Sequence, residues 1–273
     1  MKRLGHYAGI IFIMFWGLAP FYWMLITALR DKRFTFDTTP WPTHVTLENF
    51  RDALATDAGN DFLGAILNSL IISLATTALA VAVGVFTAYA LARLDFRGKG
   101  IITGIILAAS MFPGIALVTP LFQLFGDLGW IGTYRAMIIP NISFALPLTI
   151  YTLVSFFQQL PWELEEAARV DGASRGQAFR LVLLPLAAPA IFTTAILAFI
   201  TTWNEFMLAR QLSSTATEPV TVAIARFSGP SAFEYPYAAI MAAGSLVTIP
   251  LIIMVLVFQR RIVSGLTAGG VKG

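Results

Sequence analysis

A chain of 273 residues in which 57% are hydrophobic and 12% charged carries about half the charged share of a soluble domain, which excludes a water-soluble globule and points to a polytopic membrane protein. The formal net charge of +3 comes from basic residues set mainly beside apolar runs, a distribution that excludes a nucleic-acid footprint. With no cysteine, disulfides and thiolate metal ligands are excluded as well.

Six windows free of Asp, Glu, Lys and Arg, each at least 22 residues long, exceed the roughly 20 residues a helix needs to cross a bilayer. They predict an all-α fold with six membrane spans near 8–29, 66–92, 101–126, 136–159, 185–207 and 237–258. Met1-Lys2-Arg3 before an apolar run is compatible with a signal peptide. Ala8 to Leu29 is longer than a typical signal core, however, and no A-x-A site follows, so the run reads as an uncleaved first span.

A polar segment to Asp61 follows span one. Pro40-Trp41-Pro42 resists regular structure, Leu47 to Leu54 suits a short surface helix, and six carboxylates against four bases make the segment acidic. It suits either a solvated loop or a surface for an extracytoplasmic partner. Phe62 to Ala92 is longer than one span needs, so its first residues belong at or outside the interface. Its small residues permit close helix packing, and Arg93, Arg97 and Lys99 anchor its end. Spans three and four carry Pro113, Pro120, Pro140 and Pro147, each removing a backbone donor and kinking its helix. Such kinks serve either a translocation path or static packing.

The stretch Glu163 to Pro189 is the long polar interruption of the second half. Pro161 suits a first helical turn, and Glu163, Glu165 and Glu166 crowd that turn, where carboxylates meet the positive end of the macrodipole. Glu165 is spaced to pair with Arg169. Gly172 is a natural stop, and Ser174 with Gln177 forms an S-x-x-Q capping box that starts a second helix. The prediction is a helix, a tight bend and a helix over 162–181, with Leu164, Ala167 and Ala168 on one apolar face and Ala178, Phe179 and Val182 on the other. Leu184-Pro185 then bends the chain into span five.

Span five closes on Trp203-Asn204-Glu205-Phe206, where Glu205 is the one carboxylate at a span's outer end and so a functional candidate. A Trp ring beside an amide and an acid suits a pyranose face and its hydroxyls; an interfacial aromatic belt with a snorkelling acid accounts for the same residues. An outer loop from Ala209 to Pro236 contains Arg226, Gly229-Pro230 and Tyr235-Pro236. Span six ends at Gln259-Arg260-Arg261, and the tail 260–273 is too glycine-rich for a stable helix. Eleven of the 18 Lys and Arg residues fall on one side if the amino terminus is inside, a modest bias toward two cytoplasmic termini that Arg30, Lys32 and Arg33 after span one oppose.

Glu166-Ala167-Ala168, three residues, Gly172, nine residues, then Val182-x-Leu184-Pro185 resembles the EAA signature of the membrane-spanning subunits of bacterial ABC importers, with Val182 where the family has Ile. Asn68-Ser69, Ala88 to Arg93, Phe96-Arg97-Gly98, the Trp203 to Phe206 run and the tail resemble the carbohydrate-importing, maltose-type branch, and the whole chain most resembles actinobacterial trehalose importers. The resemblance implies a type I importer permease fold and a place in a bacterial inner membrane, with the EAA loop inside and so the same orientation. It also implies a second homologous permease subunit, two ATP-binding subunits and an extracytoplasmic sugar-binding protein as partners. Glu165, Glu166, Ala167, Ala168, Arg169, Asp171, Gly172, Ala173 and Phe179 become the ATPase-coupling residues, Leu184 and Pro185 the bend after them. Trp203, Asn204 and Glu205 become candidates for the substrate path.

No G-x-x-x-x-G-K-[ST] or H-E-x-x-H occurs in the sequence, so no P-loop or zincin chemistry is expected. The chain reads as a non-catalytic subunit without a cofactor of its own, with ATP and Mg on partner subunits. Three rivals stand beside it. They are an ABC permease for glycerol phosphate, an amino sugar or an oligosaccharide, a proton-coupled secondary transporter, and a membrane-embedded enzyme. The second needs buried acids in mid-span, and the third lacks a recognisable acid/base or metal set.

Overall fold

The computed structural model describes residues 2–56, 61–227 and 236–270, with side-chain surroundings from 5 to 258. Gly229-Pro230, Tyr235 and 271–273 lie outside the described residues, as do the side chains of Lys2, Arg3, Arg260 and Arg261. Every regular element among the described residues is helical: α1 Lys2–Leu29, α2 Glu48–Leu54, α3 Phe62–Arg93, α4 Lys99–Ser110, α5 Val118–Asp127, α6 Tyr134–Gln159, α7 Glu163–Val170, α8 Arg175–Ala178, α9 Leu184–Trp203, α10 Met207–Leu212, α11 Val220–Ala225 and α12 Tyr237–Gly270. Among the described residues, five helical runs are long and apolar enough to cross a membrane, and a bent pair makes a sixth if counted as one span.

That bent pair turns the kinked but continuous third span expected over 101–126 into a broken one. α4 ends at Ser110, and α5 leaves at 89° to it. Pro113 is the cause: it is extended, at φ −68° and ψ 117°, and it disfavours helical geometry in the residue before it. Met111 and Phe112 close the helix by bonding back to Ala108 and Ala109. Pro120 sits in the first turn of α5, where its missing N–H costs nothing. At 12 residues, α4 alone covers about 18 Å, well short of the bilayer.

The chain forms two compact units. The first comprises Met1–Leu67 and Pro219–Ile252. In it the polar segment after α1 is folded rather than merely solvated. Arg30 pairs with Val45 as an isolated antiparallel bridge, and Thr46 N–H donates to Leu29 O at 2.8 Å. The buried Arg30 guanidinium donates to the carbonyls of Asp37 and Thr39 and lies over the Trp23 ring at 5.1 Å. Asn49, also buried, donates to Ala28 O and Arg30 O at 2.8 and 2.6 Å. Proline-interrupted backbone has carbonyls that no ladder uses, and these two side chains supply the donors. α12 continues through the glycine-rich stretch after 260 that was expected to be irregular, because a long helix propagates one bond per residue without a new nucleus.

The second unit comprises Asn68–Glu218 and Ile253–Gly273. Its core is the mutual packing of α3, α6 and α9: Val85, Ala88 and Ala92 meet Leu153 and Phe157, with Leu183, Ala187 and Ala190 on the third side. Small residues bring the backbones close. Gly84 makes a tight approach in this core, since a Cβ there would stand 2.4 Å from the Thr149 methyl. Thr149, Thr193, Thr194 and Thr202 each donate to the carbonyl four residues back, so no hydroxyl among them is left bare in an apolar surrounding.

Candidate functional site

The polar stretch folds as an elbow. α7 runs to Val170, and Gly172 takes φ +88°, a conformation that costs glycine nothing. Gly172 N–H bonds Arg169 O at 3.1 Å and Ala173 N–H bonds Ala168 O at 3.0 Å, the paired closure of a Schellman stop. Ser174 then starts α8, its hydroxyl accepting from Gln177 N–H at 3.3 Å while the Gln177 carboxamide accepts from Ser174 N–H at 2.8 Å. Both halves of the capping box are present.

Two expectations about this elbow are corrected. Glu165 does not pair with Arg169. It is 7% exposed, and its Oε1 accepts from the Tyr89 hydroxyl at 3.1 Å. The inward face of α7 is Leu164, Glu165 and Ala168, with Ala167 exposed; helical spacing fits either set, and counting Glu165 as polar selects the wrong one. Secondly, no break at Leu184-Pro185 separates the elbow from span five. Arg175 to Trp203 is one helix that widens to a π turn over Phe179–Leu183, closed by Leu184 N–H on Phe179 O. Proline lacks an N–H, and its ring collides with the carbonyl one turn back; the wider turn just before Pro185 moves that carbonyl aside.

Glu163, Glu166, Ala167, Arg169, Asp171 and Gly172 are exposed, Ala168 and Ala173 half-buried. Val170 is 87% exposed, an apolar knob at the tip. Phe179 is buried, its ring 4.5 Å from that of Tyr89. Arg93 was expected to be an interfacial anchor, yet it is 5% exposed. It donates to Leu160 O at 2.6 Å and lies over the Trp162 ring at 4.4 Å. Tyr89 was not singled out from the sequence; its spacing from Arg93, one helical turn, was the available signal.

The outer-end trio is not brought together. Trp203 is 1% exposed and stacked on Phe199 at 5.5 Å, so its ring offers no face to a sugar. Glu205 accepts from the N–H groups of Leu208 and Ala209 at 2.7 and 2.9 Å and thereby caps α10. Asn204 is exposed and bonds Ile200 O at 2.8 Å. Glu205→Ala is accordingly expected to lower stability by about 1–2 kcal/mol, the worth of a cap, and Glu205→Gln by less, with the KM for uptake unchanged. Thermal melting of the purified permease beside uptake kinetics checks this, and a KM shift without a melting shift would instead place the acid on the substrate. Asn68, likewise unassigned by residue reasoning, accepts from the Tyr134 hydroxyl at 2.5 Å and donates to Ala216 O and Glu218 O, fixing the loop after α10.

A family described as "Binding-protein-dependent transport system inner membrane component" matches residues 80–267, a span that contains the whole elbow. The chain belongs to this family. The permease is 48% identical to a trehalose transport system permease protein of Mycobacterium tuberculosis, over 94% of this chain and 93% of that one. It is 42% identical to a trehalose/maltose transport system permease protein of Thermococcus litoralis, over 100% and 98%. Its fold matches a solved bacterial ABC transporter for import of the acidic polysaccharide alginate, with TM-score 0.77 at 22% identity over 95% of this chain and 96% of the other. The protein is therefore a non-catalytic, multi-pass inner-membrane subunit with the type I importer permease fold.

Proposed function

We propose that this permease forms half of the translocation path of an ATP-driven importer for a disaccharide of the trehalose or maltose kind. The observation that carries the cargo is the near full-length identity to two permeases that both move trehalose. We further propose that the elbow docks an ATP-binding subunit, with the exposed Glu166, Ala167, Arg169, Val170, Asp171 and Gly172 as the gripped face. The buried Glu165 and Phe179, with the half-buried Ala168 and Ala173, join that face to the spans. On this reading both termini and the elbow are cytoplasmic. A second, homologous permease completes the path, two ATP-binding subunits hold ATP and Mg, and an extracytoplasmic sugar-binding protein delivers cargo.

Closure of the ATPase dimer moves the elbow, and the spans rotate as a body to exchange inward and outward access. The Arg175 to Trp203 helix has no break between elbow and outer end, so such a push reaches the outer side through one continuous helix. Asn204, exposed at that end, is the side chain of the trio assigned to the path. The test is uptake of labelled trehalose by vesicles holding the assembled transporter. Uptake that requires ATP and ignores a protonophore is expected. Uptake that survives ATP depletion and collapses with the proton gradient would put the chain among secondary transporters instead.

A further inference from the structure

We propose that Tyr89 is a positioning residue of the transport cycle: with Arg93, one turn on, it clasps the elbow to the end of α3, so that motion of α7 enters α3 directly. The inference rests on the elbow being the ATPase-coupling element. By chain connectivity α7 adjoins only α6 and, through α8, α9. Yet the Tyr89 hydroxyl holds Glu165 of α7, and its ring meets Phe179 of the π turn at 4.5 Å and Phe157 of α6 at 6.2 Å. One side chain of α3 therefore touches all three elements that meet at the elbow. Arg93, on the same face of α3, holds the carbonyl of Leu160 and covers Trp162, the two residues that flank Pro161 at the entry to α7.

Stability alone does not account for this arrangement. Glu163 and Glu166 show that an acid in this turn can lie in solvent. Glu165 is buried instead, with Oε2 unpartnered among the described residues, and Arg93, one turn beyond Tyr89, has Nε and Nη1 in the same state. Buried charged groups with unfilled hydrogen-bonding capacity are costly. A joint that must fit a second arrangement of the same helices carries such spare groups in the first, and a discrete two-position joint is what transmits motion through packed helices.

The test uses the full transporter, with its second permease and ATP-binding subunits, in lipid nanodiscs. Hydrogen exchange over residues 163–173 and cargo moved per ATP hydrolysed are measured for the unaltered chain, Tyr89→Phe, Glu165→Leu, Glu165→Gln and the Tyr89→Phe/Glu165→Leu double variant. Tyr89→Phe is expected to speed exchange through α7 and to lower cargo per ATP, each about tenfold, with residues 190–203 unchanged. Glu165→Leu matches it, and the double variant is no worse than either single, because the two changes remove the same bond. Glu165→Gln keeps an acceptor for the hydroxyl and restores cargo per ATP to within about threefold of the unaltered chain. Additive losses, or an α7 exchange rate untouched by Tyr89→Phe, overturn the clasp. Faster exchange with cargo per ATP unchanged overturns the positioning role, leaving the contact structural. Should Glu165→Leu not fold, Tyr89→Phe, which deletes one oxygen, decides by itself. If no ATP-binding subunit accompanies the unaltered chain, the coupling reading fails, while exchange in the isolated permease still decides whether the clasp exists.

Discussion

Gly172→Val is expected to abolish uptake and to release the ATP-binding subunits while the permease still inserts in the membrane; Gly172→Asn is expected to leave both near normal. The difference is conformational. Gly172 stands at φ +88°, and no heavy atom lies within 4 Å of where a Cβ would be built, so the chain's own packing does not object to a side chain. A β-branched residue forced into the left-handed region costs on the order of 1–3 kcal/mol, whereas asparagine enters it readily. α7 has eight residues, and a helix that short is marginal by itself, so a penalty of that size is enough to open the Schellman stop and lose the elbow's shape. The loss therefore runs Val, then Ala, then Asn, following backbone strain. If instead a docked partner rejects bulk at this point, Asn fails as badly as Val. Uptake, together with the amount of ATP-binding subunit that copurifies, separates the two, and normal cargo-stimulated ATP hydrolysis in the Val variant would remove the elbow from the coupling path.

Gly172, Ser174 and Gln177 were legible because caps are local: a left-handed stop and a reciprocal hydrogen-bond pair are decided within four residues, and no distant packing competes with them. The all-α class was legible for a similar reason, since apolar length alone forces helix in lipid. The broken third span was not, because a proline in an apolar run signals anything from a mild kink to a right angle. Here Gly114 follows Pro113, and α5 restarts only after a further tight turn, which decides for the right angle. Glu165 and Trp203 were misplaced by a shared error. Residue type assigned the acid to solvent and offered the indole to a sugar, whereas a facing helix supplies Tyr89 for the first, and Phe199, one turn back on α9 itself, stacks on the second. A tertiary partner such as Tyr89 leaves no trace in local spacing, which is why it passed unassigned on α3.

Gly84→Leu is expected to prevent accumulation of folded permease, and Gly84→Ala to destabilise it by about 1–3 kcal/mol, the usual cost of overpacking a tight contact. The alanine Cβ would stand 2.4 Å from Thr149 Cγ2 and 3.4 Å from Thr149 Cβ. The threonine cannot rotate away cheaply. It is 1% exposed, and its hydroxyl is held on Ala145 O at 2.8 Å, so turning it forfeits a bond worth about 1 kcal/mol. The alternative is to move α3 away from α6, which parts Ala80 from Ala145 and Ala198, where alanines leave no longer side chain to fill the gap. Thr149→Ser removes the obstructing methyl and keeps the hydroxyl, so Gly84→Ala in that background is expected to lose less than half as much. Thermal unfolding of the detergent-purified single and double variants measures the cycle, and equal losses in both backgrounds would show that the α3–α6 approach is not what Gly84 secures. Gly84 and Gly172 thus fail in different ways. A residue that sets helix separation shows its loss in folded yield, whereas one that shapes the elbow leaves the yield intact and shows its loss in uptake and in the ATP-binding subunit that copurifies.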